Sequence, residues 1–304
     1  MTTNNPLLNV NEEMNFSAVK AENIKEAVEH YIKETENSLE KIVSIENPTW
    51  DNVYKDFENL SIDFSRVMSL VGHIKGVKKQ KEIDDVYTEC IPLLVEHSNK
   101  VKQDVRLFNT YKKLEKLDLS ETQKLILSKS LKSFTDSGIN LSKEIQEEFN
   151  EISTKLSELS NQFNINTVDS VNDWSLLITD KNELAGLPDS LLEVFSEFAE
   201  EKNEKGYMLK ILQPYCMESL KHLKNRDLRE KLYNASTTIA SEFLNDGAYD
   251  NGDILREIVV LKNKKAKLAG YKDFVDYSLS NKMANSLEEV QELLYSLKDK
   301  SREQ

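Results

Sequence analysis

Apolar residues recur along most of this chain at steps of three and four, the period that gathers them on one face of a helix. Between residues 22 and 44, Ile24, Ala27, Val28, Tyr31, Ile32, Leu39 and Ile42 keep that rhythm and predict a first long helix. A second restarts after Pro48 in NPTWDNVYKDF and runs into the 70s, where Gly72 and Gly76 are expected to loosen it. A third covers roughly residues 82–110 and contains Pro92, so a kink or break is expected there. Ser120 and Gln123 have the spacing of a capping box, opening a helix that ends near Gly138. The clearest stripe is Ile145, Phe149, Ile152, Leu156, Leu159 and Phe163, alternating steps of four and three, with Ser142 placed to cap it.

Past residue 170 the texture changes. DWSLLI (173–178) and YMLKIL (207–212) are short, apolar-rich and bounded by breakers, as strands are. Between them lies ITDKNELAGLPDSLLE, a compact run of punctuation. Asp180 can cap a turn with Glu183 at the reciprocal spacing, Gly186 can close that turn in the left-handed region, and Pro188 suits the first position of a new helix. Strand, returning helix and strand most simply place the two strands side by side and parallel. Pro214 ends the second strand, and helices follow at about 216–242, 252–269, 272–280 and 286–304. The last opens with a Ser286–Glu289 capping box, yet KDKSREQ ends it without Gly, Pro or loop composition, as expected of a chain cut inside its structure. The fold class is mainly α, with a small two-stranded β element.

Composition supports this reading and narrows the function. Of 304 residues only 8 are Gly and 5 Pro, so few turns can be built and long helices with short connections are economical. The charged fraction of 31% beside 39% hydrophobic residues fits helices with solvated outer faces. No apolar run approaches the ~18 residues of a spanning helix, so no membrane partner is expected. The net charge of −13, with no basic stripe carrying aromatics, argues against nucleic acid. MTTNNPLLNVNEEMNF lacks the basic and apolar regions of a secretory signal. Cys90 and Cys216 are isolated, as in reduced, buried thiols of a cytoplasmic protein.

Candidate chemistry is sparse. The four histidines, His30, His73, His97 and His222, include no His-Glu-x-x-His pair. His30 lies between Glu26 and Glu34 on one helical face, the arrangement of a surface ion pair. His97 follows Cys90 by two helical turns, ~10 Å along a rigid axis, too far for a catalytic dyad. No glycine spacing makes a phosphate loop, and the carboxylate-rich EIQEEFNE and FAEEKNEK read as solvated faces. Trp50 and Trp174 read as packing anchors. The residues alone therefore assign no catalytic group and no metal ligand, and leave the substrate-binding residues unknown.

Several stretches nevertheless belong to a recognisable pattern. LSELSNQFNINTVDSVNDWSLLITDKNELAGLPDS resembles the corresponding block of the thimet-oligopeptidase-like zinc metallopeptidases. NPLL (5–8), NPTWDN (47–52), SGINL (137–141) and NRDLREKLYNAS (225–236) are similar to further segments of that family. LKNKKAKLAGYKDFVDYSLSNKMA (261–284) matches the family's Leu-Arg-x-x-x-Ala-x-Leu-Leu-Gly-Phe stretch, with Lys262 for Arg, Ala269 for Leu and Tyr271 for Phe. The resemblance runs in order through essentially the whole chain.

It implies a mainly helical, ellipsoidal peptidase with a deep, narrow channel that admits only short, unfolded peptides. In the family, two His of a His-Glu-x-x-His helix and a later Glu bind zinc, and the motif Glu acts as general base on zinc-bound water. No position here matches those residues. The resemblance thus implies the N-terminal portion of such an enzyme, without bound zinc and inactive until joined to its missing C-terminal catalytic half. Residues 1–170 would form a helical wall of the channel. Residues 171–304 would hold the strand–helix–strand element and the start of a zincin-like catalytic domain. The corner at 178–193 would fix the angle between the parts, and its packing inside the N-terminal domain would contradict that role. The competing reading is a stand-alone, non-catalytic helical interaction protein, which a stop codon directly after that of Gln304 would favour. A scaffold of helical repeats is disfavoured, since no segments share a period of about 30 to 45 residues.

Overall fold

The structure is a computed structural model that describes residues 5–8, 15–78 and 80–302. Most of the opening stretch read for a signal, and the last two residues of the expected final helix, lie outside the described residues. The chain forms two compact units: Met1–Glu158 together with Leu261–Gln304, and Leu159–Val260.

In the first unit, α1 (Ala21–Val43) packs on α2 (Asp56–Val77) and α3 (Lys81–Lys102). The stripe predicted for α1 supplies the contact: Ile24, Val28 and Tyr31 are buried against Val67, Val71, Ile74 and Cys90. Tyr31 also stacks on Phe64 at 5.5 Å. The NPLL segment is tied to α1, because the buried Asn5 amide donates to the Asn23 carbonyl at 2.9 Å and to Glu26 at 3.0 Å. A second cluster joins α4 (Val105–Leu114) and α5 (Glu121–Asp136) to the start of α2, around Val53, Leu107, Tyr111, Leu114 and Phe134. Trp50 anchors that cluster by stacking on Tyr54 at 4.3 Å.

Several boundaries differ from expectation, each for a local reason. Helix α2 continues through Gly72 and Gly76 to Val77, since packing of Val67, Leu70 and Ile74 outweighs the roughly 1 kcal/mol that a mid-helix glycine costs. It begins as a π-helical turn at Trp50–Lys55, capped by Thr49 and Asn52. Helix α3 runs unbroken past Pro92, and the break in the 82–110 segment falls instead at Gln103–Asp104. There the Asp104 carboxylate accepts from the amides of Arg106 and Leu107 and starts α4. Ser120 and Gln123 do form the reciprocal box.

Helix α6 (Lys143–Asp173) passes from the first unit into the second. Its stripe buries Phe149, Ile152 and Leu159, while Ile145 is exposed and Leu156 and Phe163 are half-buried. The second unit is built on Phe195, Leu209, Leu184 and Leu232, with Trp174 packed against them. Its strands are shorter than expected, β1 (Leu176–Ile178) and β2 (Tyr207–Leu209), and they are antiparallel, not parallel. The register pairs Ile178 with Tyr207, so the end of β1 meets the start of β2. The intervening helix α7 (Asp189–Glu200) packs on β2 within what is a wide hairpin, and no crossover is needed.

The expected 216–242 helix is two, α8 (Tyr215–His222) and α9 (Arg226–Thr237), because Asn225 caps a new start on the amides of Asp227 and Leu228. Helix α10 (Gly252–Leu268) leads back to the first unit, where α11 (Phe274–Leu279) and α12 (Leu287–Ser301) follow. Ser286 accepts from the Glu289 amide as expected, but the Glu289 carboxylate reaches the Asn285 amide and not that of Ser286.

Candidate functional site

The groups most able to do chemistry are dispersed. His30 and His73 are exposed, each edge-on to an aromatic neighbour, Tyr31 and Phe16. His222 meets Glu218 one turn back on α8, with Nε2 3.1 Å from the carboxylate. His97 lines a cavity in the first unit. Cys90 and Cys216 are free and fully buried, and burial raises both thiols above the ordinary range, which suppresses the thiolate. Among the described residues no three His, Cys, Asp or Glu side chains converge as a metal site would require. These residues therefore do not fit a zinc centre.

Two arrangements are tightly built. The first is the corner in the second unit. Asp180 caps a single 3₁₀ turn, Lys181–Leu184, by accepting from the Asn182 amide at 2.9 Å, an Asx turn in place of the expected box with Glu183. Pro188 precedes the first residue of α7. Gly186 has φ +101, and a Cβ there would stand 2.3 Å from the His222 carbonyl oxygen. Beside it the Lys224 amide donates to the Ala185 carbonyl at 2.9 Å. The corner is thus held against the end of α8.

The second is a clasp within the first unit, centred on the buried carboxylate of Asp136 at the end of α5. One of its oxygens accepts from the Lys132 ammonium at 3.0 Å and from the Tyr271 hydroxyl. The other accepts from Lys132 at 2.9 Å and from the Asn281 amide at 3.2 Å. Burial opposes the charge on Lys132, but its bonds to Tyr271 and Asp136 prevail and hold its pKa above the ordinary value. Tyr277 packs edge-on to Tyr271 at 5.1 Å, and burial raises its phenol. With both oxygens occupied, Asp136 has no free lone pair directed at a substrate proton, so the cluster is a fastener and not a general base. It binds the 271–281 segment to α5 across 135 residues of sequence.

The sequence carried part of this. SGINL begins directly after Asp136, and Tyr271 stands where the family pattern has Phe. That departure supplies the hydroxyl that reaches Asp136. Lys262, in the place of the usual Arg, sets its ammonium 5.1 Å over the Phe274 ring. No local spacing signals a bond spanning so much sequence, so Asp136 escaped a residue-by-residue reading.

Apolar side chains lie exposed on both units. On α12 these are Leu287, Leu293, Leu294, Tyr295 and Leu297. In the second unit they include Phe243, Leu255, Val259 and Val260. No helix among the described residues is long and apolar enough to cross a membrane.

Comparison with known proteins gives these features a context. The family model for the neurolysin/thimet oligopeptidase N-terminal domain matches residues 26–146, and that for peptidase family M3 matches residues 219–304. The chain is 37% identical over 309 residues to oligopeptidase A of Haemophilus influenzae, an alignment covering 100% of this chain and 45% of that protein. It is 34% identical to oligopeptidase A of Escherichia coli, over 99% of this chain and 45% of that protein. It is 30% identical to the probable cytosolic oligopeptidase A of Arabidopsis thaliana, over 98% and 44% respectively. The chain spans less than half the length of these curated relatives, and it matches their N-terminal portion.

Proposed function

The chain belongs to the M3 peptidases, and from that premise we propose that it forms the N-terminal portion of a zinc-dependent oligopeptidase that hydrolyses short, unfolded peptides. The observation that carries this reading is in-order similarity through the whole chain to proteins more than twice its length. Zinc and the groups that polarise water would come from residues beyond these 304; among the described residues no three candidate ligands converge. In this reading residues 1–170 supply a wall of the channel and 171–304 begin the catalytic domain. The exposed leucines of α12 and, separately, the exposed Leu255, Val259 and Val260 of α10 would be covered by that remainder, since exposed apolar faces ordinarily mark interfaces. The protein would act in the cytoplasm.

The test is an assay with an internally quenched fluorogenic peptide of about ten residues. The 304-residue chain alone is expected to leave the peptide intact. The polypeptide extended to the relatives' full length is expected to cleave it, with activity lost to a zinc chelator. Chelator-sensitive cleavage by the 304 residues alone would overturn the assignment of the chemistry to the rest of the enzyme.

A further inference from the structure

Within the first unit, a cavity of about 280 Å³ opens between α1, α2 and α3. That is nearly twice the ~150 Å³ of an apolar cavity able to hold benzene, so a single ring with a short substituent fits. Phe57, Phe64, Met68 and Leu94 belong to its apolar wall, and His97 and Lys102 are its basic members. The two helices that carry these residues present them at helical spacing: Phe57, Phe64 and Met68 on α2, Leu94, His97 and Lys102 on α3.

The chemistry of His97 is constrained. Burial pushes its pKa down, so the ring is neutral near pH 7. Its Nδ1 is sealed from solvent and has no hydrogen-bond partner. A sealed N–H without an acceptor costs more than a sealed lone pair without a donor, so the proton belongs on Nε2. Nε2 is then an N–H donor on the ring edge that is not sealed. Two of the four hydroxyls that line the cavity are already engaged, since Ser61 and Thr35 each donate to a carbonyl one turn back in their own helix. Lys102 stands exposed at the mouth and contributes positive charge.

We propose that this cavity binds an aromatic carboxylate, its ring among Phe57, Phe64 and Met68 and its carboxylate accepting from His97 Nε2–H and the Lys102 ammonium. The site does not rest on the peptidase reading. Two sources share this chemistry: a free aryl acid, and the C-terminal phenylalanine or tyrosine of a peptide.

The experiment is an NMR titration of the intact chain with 3-phenylpropionate, with 2-phenylethylamine as the oppositely charged control and N-acetyl-glycyl-phenylalanine as the peptide arm. Saturable shifts at Phe64, Met68 and the His97 ring nitrogens are expected with the acid, at a dissociation constant on the order of 1 mM or tighter for so small a ligand. The amine should bind at least tenfold more weakly. Met68→Trp, which fills the cavity, should abolish binding, and Lys102→Gln should weaken the acid about fivefold without changing the amine. If Met68→Trp misfolds, His97→Phe serves, since it removes the donor while keeping an aromatic ring, and should weaken the acid at least fivefold. Tighter binding of the peptide arm would assign the site to peptide ends, and tighter binding of the free acid to small aryl acids. No saturable shift from either carboxylate at 10 mM would overturn the proposal, as would equal affinity for acid and amine.

Discussion

At the scale of single residues, Gly186 and Lys265 each sit where the fold imposes a cost. Gly186 combines a left-handed φ with a Cβ site blocked by the His222 carbonyl oxygen. Gly247 is left-handed too, at φ +73, but its nearest neighbour lies 3.6 Å away. Both sites carry the backbone penalty, and only Gly186 adds a backbone clash. Gly247→Val should therefore cost about 1–2 kcal/mol and Gly186→Val at least twice as much, measured by chemical denaturation. Equal losses would mean that the corner yields without strain.

Lys265 is the other case. Its ammonium lies 4.6 Å over the Phe149 ring, and burial, with Lys102 nearby, lowers its pKa from 10.5 to about 8. Below pH 8 the folded chain carries this buried charge at a cost. Above it the native state loses the proton while the unfolded chain keeps it, so stability from this group rises between pH 8 and 10.5. Lys265→Met should accordingly stabilise the chain at pH 7 by about 1–3 kcal/mol, an advantage that fades as pH approaches 10.5. Denaturation midpoints of both proteins across that range provide the check, and a pH-independent difference would contradict it.

At the scale of elements, local signals governed what could be read from sequence. The α1 periodicity, the Ser120 cap and the Leu184–Gly186 turn depend on residues within one or two turns of each other, and each was legible. The strand orientation was not, because two three-residue strands carry no periodic information about pairing, and the pairing depends on where α7 folds back. Breaks differ where side-chain capping overrules composition: the 82–110 segment divides at Asp104 and not at Pro92, and Asn225 divides a segment that looked continuous. The Asp136 clasp was invisible for the same reason, its partners being 135 and 145 residues away. Tyr271→Phe removes one of the four hydrogen bonds to that carboxylate, at an expected cost of about 1–2 kcal/mol. Asp136→Ala leaves Lys132 without its anion and should cost about 3 kcal/mol or more. Hydrogen exchange should accelerate selectively over residues 271–281 in both variants. Uniform acceleration through the first unit would show that the clasp is no separate fastening.

At the scale of the whole molecule, the two units have separate cores and leave apolar side chains of α10 and α12 exposed. The family was legible because its segments are spread in order along the chain, whereas the chemistry was not, because none of the family's zinc-binding positions has a counterpart here. We propose that these 304 residues build the framework of an oligopeptidase whose metal is held elsewhere. Elemental analysis of the purified chain after exhaustive dialysis against buffer with trace zinc tests it most directly. Well under 0.1 zinc per chain is expected, as tight zinc sites need three or four converging ligands. One zinc per chain would place a metal site within these residues and overturn that proposal.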